Sequence, residues 1–214
     1  MKDKKPTPST MVLLVRHGLT PTTGVKLPGR ARGLHLSDEG RRQAETAAAR
    51  IGKIAKVVAI YSSPLERARE TAQIIAKARN MAVRIERGLL ELDIGKWTGI
   101  ALKDAGSKPE WKAVQQHPSG FRFPDGESFT EMQTRITGAI ARMVARHAGR
   151  IVVAVSHADP IKAAVAHALG TPLDLFQRIM IGTASISAIA YSPSGAAVLT
   201  VNSMDGDLAA LGIK

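Results

Sequence analysis

The chain of 214 residues contains no cysteine. Disulfide bonds and thiolate metal sites are therefore excluded as ways to hold the fold or run its chemistry, and a reducing compartment is compatible. Aromatic residues make up only 4%. With no clustered rings to stack bases, nucleic acid is not the expected partner, although the formal charge of +12 would otherwise suggest it. Long apolar runs are also missing: Met11 to Val15 is far too short for a signal-peptide core or a membrane span. Internal repeats and low-complexity tracts are absent, so the order of elements must supply the architecture. The expectation is a soluble, cytoplasmic protein without membrane contact. Residues 1 to about 9 should form a flexible basic tail, and 10–214 a single domain.

What is present is unevenly placed. Residues 1–90 hold 18 Lys/Arg against 7 Asp/Glu, whereas residues 91–214 hold 12 against 11. The cationic excess lies in the half that contains "VLLVRHGLT", where four apolar residues run into Arg16, His17 and Gly18. A basic field of this kind draws in anionic substrates.

Strand-like and helix-like segments alternate along the chain. Met11 to Val15, "VVAIYS" at 57–62, "MAVRIE" at 81–86 and "RIVVAVS" at 150–156 read as strands. Ser37 opens a helix; Ser63, Pro64 and Glu66 read as N-cap, first-turn proline and capping-box acid of a second. Ser128 and Glu131 form a capping box for a long helix, and Asp159 with Pro160 reads as the start of another. "ASISAIAYS" and "AAVLTV" flank "PSG" as a hairpin. The regular alternation lapses between 92 and 127, which is the expected small helical lid insert. The fold class is α/β: a three-layer α/β/α sandwich with a mainly parallel sheet and an antiparallel edge strand.

In open α/β sheets, ligands bind beyond the carboxyl ends of the strands. Arg16, His17, Arg67 and His157 all fall there. Four cationic or potentially cationic groups at one edge repel one another unless an anion sits between them, and a phosphoryl group suits the planar fork of arginine. His35, His117, His147 and His167 lack the spacing of metal ligands, and no metal or cofactor is expected.

These residues stand in motifs that resemble the histidine phosphatase superfamily, the phosphoglycerate mutase-like fold. "LLVRHGLT", "LSDEGRRQA" at 36–44, "SSPLERARETA" at 62–72, "ELDIGKWTG" at 91–99, "FPDGES" at 123–128 and "SHADPIK" at 156–162 follow in family order. The resemblance runs from Met11 to about Asn202 and is greatest to a bacterial branch labelled probable phosphomutases.

It implies that His17 becomes phosphorylated, that Arg16, Arg67 and His157 hold the phosphoryl oxygens, and that Glu91 donates a proton to the leaving group. It also draws in Gly18, Thr20, Thr23, Gly29, Arg30 and Ala158 as substrate-binding positions. Two of these depart from the family: Ala158 stands where glycine is usual, and Thr23 where several members carry asparagine.

A neutral imidazole can attack phosphorus and divide the reaction into two easier steps. A carboxyl with an ordinary pKa of about 4.3 must be shielded to act as an acid near neutrality. The short segment after Glu91 favours hydrolysis over mutase transfer. The expected activity is that of a metal-independent phosphomonoesterase acting on a small phosphorylated metabolite, such as a sugar phosphate or phosphoglycerate derivative. A phosphoglycerate-type mutase and a non-catalytic phosphate-binding protein remain as alternatives, and a homodimer is kept open on general frequency alone.

Overall fold

The computed structural model describes residues 9–208. The tail expected at the N-terminus lies, for residues 1–8, outside the described residues. Six strands form one sheet in the order β3-β2-β4-β1-β5-β6. They are β1 (Thr10–Arg16), β2 (Val57–Ser62), β3 (Val83–Ile85), β4 (Ile151–Ser156), β5 (Ile186–Ser192) and β6 (Gly195–Ser203). Strands β3, β2, β4 and β1 are parallel, while β5 runs antiparallel to β1 and β6 antiparallel to β5. The antiparallel edge is thus a two-stranded hairpin.

Side chains of a strand alternate between faces, and both faces here are covered, so the central strands are apolar throughout. Val12 and Leu14 of β1 join Val152, Ala154 and Ile189 on one face, under α5 (Phe129–Arg146) and α6 (Ala158–Leu169). Met11, Leu13 and Val15 join Val153, Val155 and Ile186 on the other, under α1 (Asp38–Gly52) and α2 (Glu66–Ala78).

Two helix starts match expectation and two do not. Ser37 caps α1 by accepting from the Gly40 amide, and Ser128 and Glu131 form the capping box of α5. By contrast α2 begins only at Glu66, with Leu65 at its N-cap and no side-chain cap. The Ser63 hydroxyl lies 2.8 Å from His157 Nε2 and accepts from Leu65 N at 3.4 Å, just ahead of the helix. Likewise α6 begins at Ala158 with His157 at the N-cap, so Asp159 and Pro160 lie inside the first turn. The Asp159 carboxylate is drawn to Lys162, 3.5 Å away.

Residues 92–127 contain two short helices, α3 (Leu102–Gly106) and α4 (Trp111–Gln116), between 3-10 turns. This segment is stitched to the chain after β1: Leu27 N donates to Ile100 O, Gly99 N to Leu27 O, and Leu102 N to Val25 O. Both tryptophans and all four phenylalanines of the chain meet around it. Trp97 stacks on Trp111 and stands edge-on to Phe123, and the contacts continue through Phe129 to Phe176. Such ring pairs prefer offset or edge-to-face arrangements. The few aromatics that the chain has are concentrated rather than spread.

Candidate active site

The parallel register sets the site. Arg16 is level with Ser156, and Ser62 with Val155. His17, His157 and Ser63, each the next residue of its chain, therefore emerge at one edge.

His17 is 4% exposed. Its amide donates to Ser156 O, and its carbonyl accepts from Ala184 N. Ring Nδ1 lies 2.8 Å from Gly18 O. A carbonyl only accepts, so Nδ1 carries the proton and Nε2 keeps its lone pair. Burial, then the neighbouring Arg67 and Arg16, holds this imidazole well below its ordinary pKa. His17 is accordingly neutral, with a free lone pair on Nε2.

Gly18 has its own reason to be glycine. A Cβ there would come within 2.2 Å of the Gly40 carbonyl oxygen, at the N-terminus of α1. The turn after His17 needs this close backbone approach. Its amide donates to Thr71 Oγ1 at 3.1 Å, and that hydroxyl donates in turn to Arg67 O at 2.8 Å. Thr71 thus ties the turn after His17 to the helix carrying Arg67.

His157 is fully buried, with its ring centre 5.2 Å from that of His17. Burial comes first, followed by Arg67, His17, Arg16 and Arg135, in pushing its pKa well down. Its Nε2 is taken by Ser63, while Nδ1 lacks a hydrogen-bond partner among the described residues and lies 4.0 Å from Glu91 Oε2. Arg67, also fully buried, donates from Nη2 to Gly29 O at 2.8 Å; its Nε and Nη1 are unpartnered. Arg16 donates from Nη1 to Ile181 O at 2.7 Å, and its Nε is unpartnered. Buried polar groups are nearly always hydrogen-bonded. Four exceptions within one electrostatically linked group make a receptor for an anion rich in acceptor oxygens.

Glu91 faces this group. Burial and the nearby Asp159 push its carboxyl up to about 7, against the opposing pull of Arg67, the Leu92 amide and Arg16. Near neutrality it is therefore available in both protonation states. Its backbone is clamped: Glu91 O accepts from Arg30 Nε at 2.8 Å and Arg135 Nη2 at 3.3 Å. Arg135 also holds Gly88 O and Leu90 O. Glu127 joins the two arginines, and Arg30 reaches Asp93 as well.

The other predicted positions divide. Thr20 is buried, with its hydroxyl 2.9 Å from that of Thr23, so both are engaged within their own turn. Ala158 opens α6 beside His157. Gly29 supports Arg67 through its carbonyl. Arg30, expected at the substrate, has its guanidinium committed to Glu91 O, Asp93 and Glu127, because those acceptors surround it.

Sequence reasoning missed Ser63 as a partner of His157, along with Thr71, Glu127, Arg135 and Asp159. Arg135 had a signal: it falls between Met132, Ile136 and Ala139 on the buried stripe of α5, where a charge is out of place. Among the described residues no group of three His, Asp or Glu side chains is placed to hold a metal ion, and no helix is long and apolar enough to cross a membrane.

The chain is similar to several known proteins. Phosphoserine phosphatase 1 of Hydrogenobacter thermophilus is 33% identical over 196 residues, covering 89% of this chain and 91% of that protein. A bifunctional protein of Mycobacterium tuberculosis is 30% identical over 200 residues, which are 93% of this chain but 55% of that one. This chain therefore spans about half the length of that relative. The phosphoserine phosphatase of Entamoeba histolytica, solved in complex with phosphoserine, superposes with a TM-score of 0.82 at 25% identity over 92% of this chain and 98% of its own. The profile of the histidine phosphatase superfamily, branch 1, matches residues 12–204, and the chain belongs to that family.

Proposed function

We propose that the protein is a metal-independent phosphomonoesterase that works through a phosphohistidine at His17. The substrate is a small phosphorylated metabolite, a class that includes the phosphoserine named in its relatives. The single observation that carries this reading is the set of unpartnered buried nitrogens on Arg16, Arg67 and His157 around a neutral imidazole.

In the first step the lone pair of His17 Nε2 forms a bond to phosphorus as the ester P–O bond breaks. Glu91, protonated, gives its proton to the departing alkoxide. Arg16, Arg67 and His157 hold the three equatorial oxygens, where charge is spread in the transition state. Water then attacks phosphorus and the N–P bond breaks. Glu91, now a carboxylate, takes the proton from that water, and phosphate leaves. Residues 92–127 serve as a lid over the leaving-group side, and their brevity leaves water free to reach the phosphohistidine. The absence of cysteine suits a cytoplasmic enzyme.

His17→Ala should lower phosphate release from an aryl phosphate by on the order of 10^4-fold. It should also abolish acid-labile phosphate incorporation into the protein, while EDTA leaves the wild type active. Equal activity in wild type and His17→Ala would overturn the mechanism. Assaying 3-phosphoglycerate in parallel separates hydrolysis from transfer.

A further inference from the structure

A cavity of about 360 Å³ is walled by Leu27, Leu92, Trp111, Val114, Phe123 and Met180. Its size falls within the range of small-ligand pockets, about 300–1,000 Å³. Leu92 directly follows the proposed proton donor, and Asp159, at the polar side of the cavity, acts electrostatically on both Glu91 and Arg16. The cavity wall thus continues, through Leu92, from the residue proposed to meet the leaving oxygen.

Its chemistry differs from that of the phosphate receptor. Apart from Gln115, the polar side chains along its rim are already paired: Lys162 Nζ lies 3.5 Å from Asp159 Oδ1 and donates to Gln177 Oε1 at 3.0 Å. A polyhydroxylated leaving group would lose water there with few free partners to replace it, which is unfavourable. An apolar one would cover surface that the fold leaves open. Met180 is 70% exposed and Leu102, also lining the cavity, is 37% exposed.

We infer that this cavity receives the alcohol portion of the substrate and selects phosphate monoesters of alcohols with an apolar body over those of polyols. The inference rests on the phosphatase reading for its catalytic consequence, though binding alone also tests it.

The experiment compares n-alkyl phosphates from methyl to pentyl, with glycerol phosphate alongside, by kcat/KM. The corresponding n-alkyl phosphonates, whose C–P bond is not cleaved, are titrated by calorimetry. Each added methylene should raise kcat/KM and phosphonate affinity by about fourfold until the cavity is filled. Propyl phosphate should exceed glycerol phosphate.

Val114→Trp, which fills the cavity, should bring the pentyl-to-methyl ratio near unity. Met180→Asp, at an exposed rim position that does not endanger folding, should lower the same ratio. A flat alkyl series in both assays, or a preference for glycerol phosphate that both variants preserve, would overturn the inference. Chain-length-dependent phosphonate binding without turnover of any ester would instead support the cavity assignment and overturn the phosphatase reading.

Discussion

The two sides of Glu91 follow opposite rules. Toward the sheet edge, Arg67 and His157 are fully buried yet leave nitrogen atoms unpartnered among the described residues. Toward residues 92–127, the Trp and Phe side chains pack ring against ring, and Trp97, Phe123, Phe129 and Phe176 are all buried. One side accepts a cost in stability to keep donors ready for an anion; the other supplies packing that offsets it. Function and stability are thus concentrated in different places, as expected where a binding site is preorganised in strained or unsatisfied form.

Substitutions on each side should separate these contributions. Phe129→Ala removes a side chain that is 1% exposed and should lower stability by about 3–5 kcal/mol in denaturant unfolding. A loss below that of an ordinary surface substitution would mean that the aromatic side is not the stabilising one.

Arg67→Met should cut kcat/KM by about 10^2–10^3-fold, as does removal of a donor to the transition-state charge. It should nevertheless leave the phosphate-free protein at least as stable as wild type, because an incompletely paired buried charge is exchanged for an apolar chain. Marked destabilisation without ligand would break the contrast.

Glu91→Gln sharpens the comparison at the boundary. Alkyl phosphates, with poor leaving groups, should lose about 10^2-fold, and aryl phosphates much less. In the wild type, hydrolysis of alkyl esters should fall as pH rises through about 7, where the carboxyl loses its proton. The stability effect has the same direction. A raised folded pKa favours the protonated form, so this contribution is full below the ordinary carboxylate value and lost as pH rises through about 7. The Gln variant should lack both pH dependences; their persistence would remove Glu91 as their source.

The strands were legible because β1 and β4 are buried on both faces and read as continuous apolar runs. The site's principal cations and Glu91 were legible because strand ends and motif order marked them. The two misplaced helix starts differ in cause: Asp159 at α6 has a local partner, Lys162, three residues on, whereas at α2 the Ser63 hydroxyl meets His157, far away in the chain. Local patterns cannot report such a tertiary contact. Arg30 was assigned to substrate by resemblance, and its acceptors Asp93 and Glu127 come together only when residues 92–127 fold back. The cavity walls were hidden too, because Leu27, Trp111 and Met180 are far apart in the chain.

The contact between Gly18 and Gly40 sets the terms on which this site can diversify. A Cβ on Gly18 would meet the Gly40 carbonyl oxygen at 2.2 Å, and one on Gly40 would meet Leu19 O at 2.0 Å. Each obstacle is backbone, so changing one residue cannot make room for a larger partner at the other. The turn after His17 is consequently closed to evolutionary exploration by ordinary substitution. Exposed Leu102 and Met180, which line the cavity, carry no such backbone constraint and can change while the approach of α1 to the turn after His17 stays fixed.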